Sequence, residues 1–219
     1  MSDVTHQIVR CFFELRGFRI WTNWRSGDGP QFCVDNPNPA PSTVDKGFLF
    51  YPLDMPSVER AAVAVRAWHG ERLYPSVIEA NPGLTAAFND EMLHPADEYF
   101  QGQPYLKLLI VSEFPVSRQP RARVIELLRE SPVDHVMEYP ALLQDLFNRL
   151  DVSLAYTGSP VLQTLRILKR YHFIRNQQLE FAFPHDPEAA PLPHIDTTST
   201  GESASEDDDD TVDNRETNP

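Results

Sequence analysis

The sequence predicts an α/β protein with a mixed, partly parallel central sheet flanked by helices. Leu106–Val111 is an unbroken apolar run, which is typical of a strand buried on both faces. Residues 106–150 follow the pattern strand, helix, strand, helix, which favours parallel strands joined by helices. A helical apolar stripe and several alternating stretches precede this half of the chain.

The first part of the chain predicts one helix and then short strands. Residues 4–16 carry apolar side chains at helical spacing, and Gly17 follows as a typical stop. Residues 18–24 alternate and are rich in aromatic side chains, which favours a strand. We also predict short strands over residues 31–35 and 47–53.

The stretch AAVAVRAWHG, residues 61–70, fits two structures. Val63 and Val65 alternate with smaller or charged residues as in a strand, whereas Val58, Ala62, Val65 and Trp68 repeat at helical spacing. A helix over residues 56–68 would make Asp54 its N-cap, an interaction worth about 1 kcal/mol. The sequence leaves both structures open.

The second part predicts helices separated by strands. We expect a helix over residues 75–88 that is interrupted near Asn81–Pro82, and a helix over residues 120–131 with Pro120 in its first turn. A short strand over residues 133–139, a helix over 140–150 and a helix from about Ser159 complete the pattern.

The acidity of the chain is concentrated at its end. Residues 185–219 contain 11 acidic side chains and one basic one, Arg215, so the remainder carries only −3 of the net charge of −13. Such a segment has too little apolar surface to form a core. We therefore expect one α/β domain over residues 1–180 and a disordered acidic tail over 185–219.

The chemistry-bearing residue types form no familiar cofactor motif. Cys11 and Cys33 lie outside any zinc or CxxC spacing, and their small number is typical of the reducing cytoplasm. No glycine-rich phosphate loop, clustered histidines or long apolar run occurs. We expect a cytoplasmic protein that has no signal peptide, contacts no membrane and needs no cofactor.

The predicted order of elements resembles the core of the restriction-endonuclease-like (PD-(D/E)xK) nucleases over roughly residues 4–150. The segments KLLIVSEFP, RARVIELLRE and VDHVMEYPALLQDL look like the later half of that fold. In that family one strand supplies an Asp and the next supplies Glu-x-Lys, and the two carboxylates hold a divalent cation that activates water.

The resemblance implies a degenerate catalytic motif in this chain. The stretch AAVAVRAW would supply Glu-x-Lys, but it places Ala64 and Arg66 at those positions. An alanine cannot bind a metal, and an arginine stays protonated. The Asp position falls on Asp35 or Asp54, and the sequence does not choose between them. Mg²⁺ is expected only if the chain is a nuclease after all.

Two groups of cations are candidate binding residues for a phosphate or a nucleic acid. The first comprises Arg118, Arg121 and Arg123, where the strongest strand gives way to a helix. The second comprises Arg166, Lys169 and Arg170 on one predicted helix face, with Arg175 shortly after. Either group is also consistent with an ordinary solvated surface.

Three functions are consistent with these patterns. The preferred one is a non-catalytic binding protein with a degenerate nuclease-like core, acting through a protein or nucleic-acid partner in defence or DNA processing. The first alternative is a divergent metal-dependent nuclease that uses Asp35 or Asp54 with Glu14, Glu59 or Glu71. The second is a structural α/β protein unrelated to nucleases.

Overall fold

The computed structural model describes residues 3–22, 29–41 and 52–173. The helices are α1 (Asp3–Leu15), α2 (Pro75–Ala80), α3 (Gly83–Ala86), α4 (Asp90–Phe100), α5 (Arg118–Arg129), α6 (Tyr139–Arg149) and α7 (Pro160–Arg170), with a 3-10 helix over Pro52–Ser57. The strands are β1 (Arg19–Thr22), β2 (Phe32–Asp35), β3 (Arg60–Arg66), β4 (Leu106–Val111) and β5 (His135–Glu138). The predicted tail, residues 185–219, lies outside the described residues.

The strands form one mixed sheet in the order β1-β2-β3-β4-β5. β1, β2 and β3 pair antiparallel as a meander, whereas β3, β4 and β5 pair parallel. Parallel neighbours need crossover connections. Helices α2–α4 form the first crossover and α5 forms the second. This architecture confirms the predicted α/β class and its partly parallel sheet.

Helices cover both faces of the sheet. Apolar residues of α1, α6 and α7 pack on one face, against Val63 and Val65 of β3 and Ile110 of β4. Residues of α3, α4 and α5 pack on the other face, against Ala62 and Ala64 of β3. Both crossovers step across the sheet in the same direction, so a common handedness places their helices on the same face.

The ambiguous stretch is a strand. β3 runs from Arg60 to Arg66 and pairs with β2 on one side and β4 on the other. Its side chains alternate between the two apolar clusters and are buried on both faces. The helical spacing in this stretch is therefore incidental, and a helix N-cap role for Asp54 does not arise.

Most other predicted elements are confirmed, with two corrections. The interruption near Asn81–Pro82, the helix that contains Pro120 and the helix that begins after Ser159 are all observed. Of the strand predicted over residues 47–53, residues 47–51 lie outside the described ranges and Pro52 begins the 3-10 helix. Helix α4 was not predicted, and Pro95 in its interior weakens its helical pattern.

The two cysteines are free and lie on opposite faces of the sheet. Cys11 of α1 belongs to one apolar cluster and Cys33 of β2 to the other. Burial raises the pKa of both thiols, that of Cys33 to about 12. A thiol with a raised pKa carries little thiolate at neutral pH, and the thiolate is the reactive form.

We predict that both thiols of the folded protein resist a disulfide reagent such as DTNB at pH 8. Addition of urea should expose both, and two equivalents should then react. The absorbance of the released thionitrobenzoate measures this directly. One equivalent that reacts within seconds without urea would contradict the burial of that cysteine.

Candidate functional site

The region that the nuclease resemblance singles out is the β2–β3 pair. In its register Asp35 lies opposite Arg60, and Phe32 lies opposite Val63. Six residues separate Arg60 from Arg66, a span of about 20 Å along a strand. Asp35 and Arg66 therefore lie at opposite ends of β3, and the sheet does not bring these two candidate residues together.

The carboxylate of Asp35 lies between two arginines at the edge of the sheet. Its oxygens are each 4.0 Å from a guanidinium nitrogen, one of Arg19 on β1 and one of Arg60 on β3. Each of these strands presents its cation directly opposite Asp35 in the register. Asp35 thus makes a cross-strand electrostatic contact, a role that needs no metal.

The residue opposite Ala64 is Gln31, when the β2–β3 register is extended by one pair. Its backbone nitrogen donates to the Val63 carbonyl at 2.9 Å. Its side-chain oxygen accepts from the Val65 nitrogen at 2.7 Å, while its amide nitrogen donates to the Gly29 carbonyl at 2.7 Å. The Gln31 side chain thus completes the β3 ladder beyond the end of β2.

The other predicted nuclease residues do not form a metal site. Only the backbone of Asp54 is described, within the 3-10 helix. Glu14 pairs with Arg10 at 2.8 Å and Glu59 with Arg60 at 3.3 Å, while Glu71 is exposed. Across residues 3–22, 29–41 and 52–173, no group of three or more His, Cys, Asp or Glu side chains is arranged to hold a metal ion.

Polar side chains gather instead where the parallel strands β3, β4 and β5 end. Buried Ser112 follows β4, and its hydroxyl donates to the Trp68 carbonyl at 2.6 Å and accepts from the Trp68 nitrogen at 3.0 Å. Glu113 makes a two-pronged ion pair with Arg72, at 3.1 and 3.2 Å. These contacts tie the segment after β3 to the segment after β4.

Glu138, the last residue of β5, has two partners. One carboxylate oxygen accepts from the Phe114 nitrogen at 2.9 Å, and the other accepts from Arg121 at 2.7 Å. The Glu138 side chain is 14% exposed, and the Arg121 guanidinium also lies over the Phe114 ring at 5.2 Å. The carboxylate therefore fixes the loop between β4 and α5.

A third polar group joins α1, β3 and α6 at the same edge. Thr5 Oγ1 and His69 Nε2 lie 2.9 Å apart, and the His69 ring lies 4.7 Å from that of Tyr139. Burial raises the pKa of the Tyr139 hydroxyl to about 12, so the hydroxyl stays protonated near neutral pH. A protonated phenol is a poor general base at that pH.

This edge lacks the arrangement that usually makes a ligand crevice. In open α/β sheets the crevice forms where the strand order reverses. Here β3, β4 and β5 follow one another in sequence order without a reversal. The polar groups at their ends are also joined to one another, so the edge holds segments of the chain together.

The predicted cations of α5 are unequally available. Arg121 is held by Glu138, and Arg123 contacts Glu126 at 2.7 Å and Glu79 at 3.8 Å. Arg118 is exposed and makes no ion pair with the rest of the described chain. The three arginines therefore do not converge on one site, and two of them already have carboxylate partners.

The predicted cations of α7 divide in a different way. Lys169 turns inward and donates to the carbonyls of Phe147 and Leu150, the latter at 2.7 Å, where it caps the end of α6. Arg166 and Arg170 form no ion pair with any residue in the described ranges, and Arg170 is exposed. Arg175 lies outside the described residues.

Apolar side chains are exposed beside these two arginines. Ile167 is 43% exposed, Tyr171 is 65% exposed and Phe173 is 78% exposed. We call the set Arg166, Ile167, Arg170 and Tyr171 the α7 face. A surface that combines cations with exposed aromatic rings is typical of nucleic-acid contacts.

The sequence patterns identified the cations of α5 and α7 but missed the polar residues that join the strand ends. Ser112 and Glu138 each follow a predicted strand directly, and that position was the available signal. Gln31 and Thr5 carry no such signal, because their partners depend on the register and on helix packing.

Comparison of the chain with protein-family models, with curated proteins and with solved structures gave no match. No helix among the described residues is both long enough and apolar enough to cross a membrane.

We predict that Glu138→Ala lowers the free energy of unfolding by about 1–3 kcal/mol, because it leaves Arg121 and the Phe114 nitrogen without their acceptor. Glu138→Gln should lose less, since its amide oxygen can still accept one of these bonds. Urea denaturation gives both values. The control Glu71→Ala, at an exposed carboxylate, should change stability by no more than about 0.5 kcal/mol. Equal losses in Glu138→Ala and Glu71→Ala would contradict the bonding role.

Proposed function

We propose that this chain is a non-catalytic binding protein with a degenerate restriction-endonuclease-like core. On this proposal the sheet and its helices are a scaffold, and the protein acts by presenting a surface to a partner. The suggestion of a role in defence or DNA processing follows from the fold analogy alone.

The order and pairing of the elements support the proposed core. A first helix precedes an antiparallel meander of three strands, and a helical crossover then leads to a parallel fourth strand. A helix and a further parallel strand follow. This is the order that the resemblance implies.

The single observation that carries the non-catalytic part is the environment of Ala64. Ala64 is 0% exposed and belongs to the apolar cluster beneath α3, α4 and α5. A metal-binding carboxylate needs a polar cleft that admits a cation and its substrate. The position that the motif would assign to that carboxylate is instead filled by a methyl group against packed side chains.

The binding part is carried by the α7 face. Two of its members are cations without carboxylate partners in the described chain, and two are exposed apolar residues. Cations contact phosphates, and aromatic rings stack on unpaired bases. The partner that we favour is therefore a single-stranded nucleic acid, and a protein partner is the alternative outcome.

We predict no metal-dependent cleavage by the purified protein. Plasmid DNA and a single-stranded oligonucleotide should remain intact after incubation with Mg²⁺ or Mn²⁺, because no carboxylate pair is available to hold the metal. Gel analysis of the products tests this. Cleavage that needs the metal and disappears in Asp35→Asn or Asp54→Asn would overturn the non-catalytic proposal.

We predict that the pair Arg166→Glu and Arg170→Glu weakens binding to a fluorescent single-stranded oligonucleotide. The slope of the logarithm of affinity against the logarithm of salt concentration should fall by about two, one for each lost phosphate contact. Fluorescence anisotropy over a salt series measures this. The matched control is Arg123→Gln, since Arg123 already has two carboxylate partners.

The two candidate surfaces give opposite results in the same assay. If Arg118→Glu weakens binding and the α7 pair does not, the partner binds at α5 and our assignment of the surface is wrong. If the unaltered protein binds no oligonucleotide, the proposal of a nucleic-acid partner is wrong and a protein partner becomes the reading to pursue.

A further inference from the structure

The α7 face lies opposite the side of the helix that packs on the core. Leu162 is buried, and Val161 and Leu165 pack with it against the cluster that contains α1 and α6. With 3.6 residues per turn, Ile167 and Tyr171 lie one turn apart on the outward side, as do Arg166 and Arg170 beside them. The face is therefore a continuous strip of charge and apolar surface.

The positive charge of this strip is not neutralised by the described chain. Lys169 is engaged by two backbone carbonyls, but Arg166 and Arg170 have no carboxylate partner in the described ranges. The Arg166 Nε atom is buried and has no hydrogen-bond partner among these residues. A buried donor without a partner is unfavourable, so an acceptor at this end of the strip would stabilise it.

An acidic segment of the same chain follows at short range. Residues 202–213, ESASEDDDDTVD, contain seven acidic side chains and no basic one. A flexible connection of roughly 30 residues has an end-to-end distance of about 30 Å, which exceeds the length of an 11-residue helix. A tethered segment of this kind has an effective concentration on the order of millimolar.

We propose that residues 202–213 bind the α7 face of their own chain and compete there with an external polyanion. The carboxylates contact Arg166 and Arg170, which neutralises the strip and satisfies its buried donor. The inference rests on the proposed function only for the identity of what is displaced. Contact between charged groups near the surface weakens as salt screens it, so the device responds to ionic strength.

Crosslinking of the full chain tests the contact itself. Tyr171 is replaced with the photo-crosslinking residue p-benzoyl-phenylalanine, and the adducts are mapped by mass spectrometry. We expect adducts within residues 202–213 at 50 mM NaCl, and at least a fivefold loss of them at 0.5 M NaCl or after Arg166→Glu with Arg170→Glu. The same probe at exposed Val116, which precedes α5, is the matched control.

Three results of this experiment would overturn the inference. They are adducts confined to other segments, adducts equally frequent from Val116, and adducts that survive high salt. An equimolar mixture of isotopically labelled and unlabelled chains identifies the molecule that supplies the segment. Adducts that join labelled to unlabelled chains would replace the intramolecular contact with one between two copies.

Competition is tested with a full-length variant in which Asp207, Asp208, Asp209 and Asp210 are all changed to Asn. Its affinity for the oligonucleotide should rise at least threefold at 50 mM NaCl and match that of the unaltered protein at 0.5 M NaCl. Unchanged affinity at low salt would contradict the competition. Tail adducts without oligonucleotide binding by either protein would refute the nucleic-acid partner and leave the internal contact standing.

Discussion

The structure depends on the burial of β3 on both faces and its pairing along both edges. This strand changes the sheet from an antiparallel meander to a parallel half, because it pairs with β2 on one side and β4 on the other. Its valines face α1, α6 and α7, while Ala62 and Ala64 face the crossover helices. Small side chains on that second face let bulky residues such as Phe88 pack close to the sheet.

This arrangement limits what the molecule can do chemically. A central strand without polar side chains on its buried positions has no group to offer a metal or a substrate. The polar residues at the ends of the parallel strands are joined to each other, as in Ser112 with Trp68 and Glu138 with Arg121. The unsatisfied groups lie at the periphery, on α7, which is consistent with a protein that acts by contact.

The sequence predicted what depends on local pattern. The apolar run of β4 and the N-cap of α7 at Ser159 follow from hydrophobicity and capping, which act between residues near in sequence. The alternation in β3 was ambiguous, because a short strand of alanines and valines also satisfies helical spacing. Only its pairing with two neighbours, which is a long-range property, decides between the two.

The candidate site was less predictable for the same reason. Asp35 and Arg66 looked compatible in sequence, but the β2–β3 register places them at opposite ends of β3. Lys169 looked like a member of a basic strip, yet it caps α6 because the two helices meet at their ends. Register and helix packing set the partners of a side chain, and neither can be read from spacing alone.

The most direct test of this account is the stability of Ala64→Glu, measured by urea denaturation beside the exposed control Ala122→Glu. A carboxylate forced into the apolar layer beneath α3, α4 and α5 should lower the free energy of unfolding by at least about 3 kcal/mol, while the control changes little. A variant that folds within about 1 kcal/mol of the unaltered protein and binds Mn²⁺ in calorimetry would reveal a cleft at this position and contradict the account.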